Sequence, residues 1–186
     1  MRLIVGLGNP GDEYAHTRHN AGFDAIDDVA SELRAAYWKT ECGALTAKVK
    51  YRGEDLVLAK PQSYMNVSGG PVKQLCALYK AAPADIVVIH DELDIAPGSV
   101  RVKFGGGLAG HNGLKSIADK LQTKDWTRVR VGIGRPPGRM PAADWVLSAP
   151  KKEARDDFDQ ATHRAAEAVL FFLDNGLEKT QQRFNS

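Results

Sequence analysis

Ile86-Val87-Val88-Ile89-His90-Asp91-Glu92-Leu93-Asp94 opens on four β-branched apolar residues and then turns polar at a histidine. A run that is apolar at consecutive rather than alternate positions suits a strand buried on both faces, as the central strands of a parallel sheet are. Leu3-Ile4-Val5 is a second such run, and it ends in glycines. Segments with helical spacing lie between and beyond these strands. Phe23, Ile26, Ala30, Leu33 and Tyr37 predict a helix from about Asn20 to Tyr37. Val72, Leu75, Cys76 and Tyr79 predict a second, with Pro71 in its first turn. Leu114, Ile117, Ala118 and Leu121 predict a short one. Phe158, Ala161, Ala165, Val169, Phe172 and Leu173 predict a long one, and a last helix runs from Leu177. Ala44–Tyr51 and Leu56–Lys60 flank Arg52-Gly53-Glu54-Asp55 and read as a hairpin. Val129, Val131 and Ile133 alternate with polar or small residues. Val100, Val102 and Phe104 alternate with Arg101 and Lys103, which makes one face of that strand basic. Strands interleaved with helices predict an α/β fold: one domain over residues 1–186, with a twisted, mostly parallel (mixed) sheet flanked by helices on both faces. In such sheets ligands bind beyond the carboxyl ends of the strands. Asn9 follows the first strand and His90-Asp91 closes the Ile86–Ile89 strand, so both are expected on the rim where sites form.

Of 186 residues, 43% are hydrophobic and 26% charged, which fits a folded domain and excludes global disorder. Cys42 and Cys76 form neither a disulfide framework nor a metal-binding spacing. No run approaches the ~18–20 apolar residues of a membrane-spanning helix, and the first residues are too weakly apolar for a signal peptide. A cytoplasmic protein is expected. The net charge is only +2, but residues 101–139 hold nine Lys or Arg and two acids, while 151–186 hold six basic and seven acidic residues. A charge concentrated in one segment points to a polyanionic partner; a solvated surface is the alternative.

Gly6-Leu7-Gly8-Asn9-Pro10-Gly11 matches the dinucleotide fingerprint G-x-G-x-x-G after a strand. That motif needs a helix to open at the glycines, so that its amides meet a pyrophosphate. Here Pro10-Gly11-Asp12 reads as a turn and helical spacing begins only near Asn20, so nicotinamide or flavin binding is disfavoured. Four other segments gather polar residues near the expected rim: Arg18–Gly22, Tyr64–Gly69, His90–Asp94 and the glycine-rich Gly105–Leu114. Taken singly, Asn20, Asn66 and Asn112 could be helix N-caps and Asp91 a turn cap. Taken together they suit hydrolysis without a covalent nucleophile. There is no G-x-S-x-G elbow, neither cysteine lies in a polar motif, and His90 and His111 lack zinc-site spacing. A histidine with a reference pKa of about 6.5 can deprotonate water at neutral pH. A carboxylate can orient it, and Asn amides can hold a carbonyl and its developing oxyanion.

Val5-Gly6-Leu7-Gly8-Asn9-Pro10-Gly11, Thr17-Arg18-His19-Asn20-Ala21-Gly22, Lys60–Gly69, His90–Asp94 and Gly110-His111-Asn112-Gly113-Leu114-Lys115 together resemble the characteristic segments of bacterial-type peptidyl-tRNA hydrolases, in the family's order. The resemblance implies hydrolysis of the ester between a peptide and the 3′-terminal ribose of tRNA, with no cofactor and no metal. It implies that His19 is the general base, that Asp91 orients it, and that Asn9 helps to distinguish peptide-bearing from free aminoacyl substrates. Tyr14, Tyr64, Asn66 and Asn112 match positions that contact the tRNA 3′ end or the adjoining peptide, and Met65 is expected to line the groove beside the base. Arg101 and Lys103 fall where the family presents basic groups to phosphates of the acceptor stem. The partner implied is peptidyl-tRNA, met by a monomer away from any membrane. Leu108-Ala109 departs from the pattern, standing where smaller or more polar residues, often glycine, are common. A non-enzymatic RNA-binding relative of the same family is the alternative reading; retention of both His19 and Asp91 argues against it.

Overall fold

The computed structural model describes residues 1–186. Seven strands make one sheet: β1 (Arg2–Gly6), β2 (Lys39–Glu41), β3 (Ala44–Tyr51), β4 (Glu54–Pro61), β5 (Ile86–Glu92), β6 (Val100–Phe104) and β7 (Thr127–Gly132). Their order is β2-β3-β4-β1-β5-β7-β6. The centre is parallel, with β1 paired to β4 and β5, and β5 to β7. The flanks are antiparallel, so the sheet is mixed. Side-chain alternation on the central strands sorts the core into two layers. Ile4, Val87 and Ile89 face α1 (Ala21–Glu32), α5 (Glu153–Asn175) and α6 (Leu177–Phe184). Leu3, Val5, Ile86 and Val88 face α2 (Gly69–Tyr79) and α3 (Asn112–Leu121). No helix is long and apolar enough to cross a membrane.

Several boundaries differ from the sequence reading. The first helix ends at Glu32 rather than Tyr37. Arg34 adopts a left-handed φ of 57°, its N–H donates to Ser31 O, and Ala35 N donates to Ala30 O. This is the Schellman closure, which satisfies the last carbonyls of a helix. Leu33 still packs on the core, whereas Tyr37 lies beyond the closure, 79% exposed. The hairpin turn is the pair Arg52-Gly53 alone, both with positive φ (49° and 84°), and Glu54 and Asp55 belong to β4. Cys42-Gly43 repeats that turn and adds β2, a strand too short to show a pattern. Two-residue turns with positive φ at both positions match the twist of the strands they join. β5 runs on through Glu92, so the strand is longer than Ile86–Ile89, and His90 and Asp91 lie buried in its last three residues. Phe104, expected to pack inward with Val100 and Val102, is 45% exposed at the end of the edge strand.

The first turn of α1 sits directly on the ends of β1 and β5. A Cβ on Gly22 would lie 2.3 Å from Ile89 O and 2.3 Å from Leu7 N, and one on Gly6 would lie 2.2 Å from Gly22 O. Two glycines of the fingerprint therefore serve close packing against α1, Gly6 under Gly22 and Gly8 under the Phe23 ring, while Gly11 takes the positive φ of 106° of its turn. Because the clashing atoms are backbone and cannot rotate away, Gly22→Ala should lower the unfolding free energy by about 2–3 kcal/mol. A lower urea midpoint at unchanged slope checks this.

Candidate active site

The turn Arg18–Asn20, one 3-10 turn ahead of α1, swings His19 over the carboxyl end of β5. His19 Nδ1 lies 2.8 Å from Asp91 Oδ2, and His111 Nε2 lies 2.8 Å from Asp91 Oδ1. The carboxylate is 3% exposed and is shared by two imidazoles. His111 caps α3: its Nδ1 accepts from Gly113 N at 3.1 Å and Leu114 N at 3.4 Å. A ring nitrogen that accepts carries no proton, so the proton of neutral His111 is on Nε2 and is donated to Asp91. An ionised carboxylate can only accept, so His19 likewise donates from Nδ1. This leaves Nε2 of His19 without a proton in the neutral ring, the state a base requires.

The electrostatics agree. Burial works to raise the pKa of Asp91, but His19 and His111 outweigh it and hold the carboxyl well below the usual range. Burial works to lower the pKa of His19, but the charge and hydrogen bond of Asp91 prevail and raise it above its ordinary value. His90, fully buried and next to His111, has its pKa pushed down to about 3 and is neutral. Its Nδ1 donates to the Asp91 carbonyl oxygen at 2.8 Å.

Asn9 is pinned on both sides. Asn20 Oδ1 accepts from Asn9 N at 2.8 Å, and Asn20 Nδ2 donates to Asn9 O at 3.0 Å. Asn9 Oδ1 accepts from Met65 N at 2.7 Å. The orientation of the Asn9 amide is thereby set, with Nδ2 left as a donor that no protein group uses. Asn20 is thus a brace for Asn9, and none of Asn20, Asn66 and Asn112 caps a helix with its side chain. Asn66 and Asn112 are exposed. Tyr64 is 60% exposed and meets Tyr14 edge-on, with centroids 6.4 Å apart. Met65, expected to line the groove, is only 4% exposed and packs under the first turn of α3, where a Cβ on Gly113 would lie 2.6 Å from its Sδ. A cleft of about 180 Å³ runs between His19, His111 and Asn112 on one side and α4 (Ala142–Val146) on the other.

The family model described as Peptidyl-tRNA hydrolase matches residues 3–186. The peptidyl-tRNA hydrolase of Frankia alni is 48% identical over 184 residues, covering 99% of this chain and 93% of the relative. That of Mycobacterium sp. (strain KMS) is 50% identical over 180 residues, covering 96% and 94%. The crystal structure of peptidyl-tRNA hydrolase from Acinetobacter baumannii superposes with a TM-score of 0.92 at 35% identity, covering 100% of this chain and 95% of that one. This chain belongs to the peptidyl-tRNA hydrolase family. It is an α/β enzyme whose reaction is hydrolysis of peptidyl-tRNA.

The structure brings together His19, Asp91, His111 and Asn112 at the cleft, while Asn9 is bonded to Asn20, the residue after His19, and to the backbone of Met65. Arg101 and Lys103 stand apart from this group, on the edge strand β6. His111 is the site residue that sequence reasoning passes over: its string is visible, but it reads only as an unsupported metal ligand. α4 is also missed, since five residues show no periodicity. The departure at Leu108-Ala109 has a structural expression. Ala109 has a left-handed φ of 52°, a conformation that costs a residue with a Cβ about 1–2 kcal/mol and that glycine adopts freely. Leu108 packs against the α2–α3 core and helps to hold the loop down.

An imidazole can take a proton only when neutral, so a rate that depends on His19 as base falls as pH drops through its pKa. Asp91 raises that pKa; removing the negative charge destabilises the imidazolium. Asp91→Asn should therefore lower turnover and move the acid limb of the pH–rate profile to lower pH. An acid limb that stays in place would break the His19–Asp91 pairing as the source of the shift.

Proposed function

We propose that His19 removes a proton from water through Nε2 while the resulting hydroxide attacks the ester carbonyl carbon of peptidyl-tRNA. The carbonyl–oxygen bond to the 3′-terminal ribose then breaks. The imidazolium returns its proton to the leaving ribose oxygen, so that a peptide acid and free tRNA are released. The observation that carries this reading is the buried carboxylate that leaves one histidine nitrogen free at the cleft. Asn9 offers its unpaired Nδ2–H to the substrate carbonyl, and Asn66 and Asn112 offer amides that read peptide backbone rather than side chains. Tyr14 and Tyr64 supply ring faces for the single-stranded 3′ end, which is read by stacking. His19, Asp91 and His111 each place a potential ligand atom within 4.8 Å of the others. Because the bond to Asp91 and the α3 cap already occupy both nitrogens of His111, we assign no metal here. Dialysis against a chelator should leave cleavage of a peptide esterified to a short 3′ fragment unchanged, and loss restored by a divalent ion would overturn that assignment. A monomer working in the cytoplasm, beside the translation machinery that makes the substrate, fits this reading.

The acceptor stem is assigned to the basic edge of the sheet. Val100 and Val102 face α5 and α6, which turns Arg101 and Lys103 to the other face. The register sets Arg101 opposite Arg130 and Lys103 opposite Arg128. Arg128 is fully buried, and its guanidinium holds Gly107 O at 2.6 Å and Lys124 O at 3.0 Å, so it is structural. Arg130 pairs with Glu92 at 3.1 Å but lines a cavity of about 310 Å³ with Arg101, and sequence reading did not single it out. The pKa of Lys103 is lowered, by burial first and by Arg130 and Arg128 next. Such crowding of cations is relieved by phosphate. Removing the charges of Arg101 and Lys103 together should raise KM for full-length peptidyl-tRNA and flatten its salt dependence, with kcat little changed. The short 3′-fragment ester should be affected much less; equal losses on both substrates would refute a phosphate clamp.

The purified chain should hydrolyse N-acetyl-aminoacyl-tRNA in preference to the unblocked form. His19→Ala should lower turnover by about 10²–10⁴-fold with tRNA binding retained, the usual contribution of a general base. Near-normal turnover in a folded His19→Ala protein would sink the base assignment, and absence of turnover in the unsubstituted chain would favour the non-enzymatic RNA-binding reading.

A further inference from the structure

Arg18 directly precedes His19 and is 7% exposed, yet no carboxylate pairs with it. Its guanidinium carbon lies 3.5 Å from the centroid of the Trp145 ring. Nη1 donates to Ser148 Oγ at 2.6 Å and Ser148 O at 3.3 Å, and the Arg18 backbone N–H donates to the same carbonyl at 3.1 Å. Ser148 Oγ donates to Trp145 O at 2.6 Å, and Trp145 Nε1 donates to Gly134 O at 2.9 Å. Every bond that Arg18 makes ends on the segment that carries α4, and Trp145 Nε1 ties that segment back to the residues after β7. A helix of five residues has almost no stability of its own, so its position depends on what it is tied to. One side of α4 presents Ala142, Ala143 and Val146 to the cleft, and Trp145 turns the other way, onto Arg18.

We propose that Arg18 is a positioning residue for hydrolysis, locking the α4 wall of the cleft to the turn that carries His19 so that wall and base hold one spacing. The inference rests on the reading of His19 as the base and adds a determinant of where substrate sits against it. The chemistry requires arginine: a planar guanidinium lies flat on indole while its edge bonds Ser148, which a lysine ammonium cannot do. A guanidinium this buried and covered by an indole is not available to an RNA phosphate. The wall touches substrate before and during bond breaking alike, so loosening it weakens binding more than chemistry.

The test measures kcat, KM, the pH profile and the salt dependence of N-acetyl-aminoacyl-tRNA hydrolysis by the full chain. Arg18→Lys and Trp145→Ala are each expected to raise KM by about 10-fold while kcat stays within about 3-fold. The double variant should be no worse than the poorer single one, because both remove the same lock. Trp145→Phe keeps a ring face for Arg18 and should remain near the parent. The acid limb and the salt dependence should not move, since the His19–Asp91 pair and the basic edge are untouched. An unchanged KM in Arg18→Lys, additive losses in the double variant, or Trp145→Phe as poor as Trp145→Ala would each overturn the proposal. Should Arg18→Lys fail to fold, the contrast between the two Trp145 variants decides. His19→Ala in the same assay reports separately on the base, because the KM coupling of Arg18 and Trp145 is read without reference to it.

Discussion

A single ionised carboxylate, enclosed at the end of β5 and satisfied by two imidazole N–H groups, is the constraint around which this molecule is arranged. Burying a charge costs several kcal/mol unless donors replace the lost water. Here the donors come from opposite sides of the sheet. His19 arrives from the turn before α1, which packs on one face, and His111 heads α3, which packs on the other. Asp91 therefore joins the two helical layers at one rim, and the catalytic geometry is a by-product of how the layers are tied. The two histidines have different freedoms. The ring of His111 is held at both nitrogens, by the carboxylate and by the first amides of α3, while the ring of His19 is held at one. Only the second can exchange a proton without breaking a structural bond.

The basic groups proposed to meet tRNA lie apart from this centre. The cluster at the rim consists of one carboxylate and three imidazoles, whereas Arg101 and Lys103 lie on the edge strand β6 and Arg130 on β7 beside it. Glu92 links the regions, since it follows Asp91 on β5 and pairs with Arg130 on β7. Separation of this kind lets phosphate contacts set affinity and register while the reacting ester meets groups indifferent to sequence.

The central strands were legible because burial on both faces leaves a consecutive apolar run, and the helices because their buried stripes recur. What escaped was held by tertiary bonds that leave no periodic trace. β5 continues into His90, Asp91 and Glu92 because two histidines hold the Asp91 carboxylate and Arg130 on the neighbouring strand pairs with Glu92, a fact invisible in the residues themselves. Tyr37 keeps the spacing of α1 but lies past a left-handed closure at Arg34. β2 and α4 are too short to declare a pattern. At the site, His19, Asp91 and Asn9 stood out through family resemblance; His19 and Asp91 are hydrogen-bonded, and Asn9 is tied to Asn20, the residue that follows His19. His111 did not stand out, because its importance lies in which nitrogen the backbone amides occupy. Arg18 was given no role of its own, since nothing local says that Trp145 covers it.

The strand order has a bearing on how the chain acquires activity. β5 lies between β1, made earlier, and β7, made later, and its Asp91 takes donors from residues 19 and 111. No contiguous portion of the chain short of residues 19–111 contains all three groups, and the α4 wall arrives later still. Long-range closure of this sort is slow and cooperative, because loop entropy is lost before the contacts repay it. A partly folded chain can therefore hold an intact hairpin or helix yet lack the His19–Asp91–His111 cluster, whose assembly reports that the last strands have been inserted in the right order.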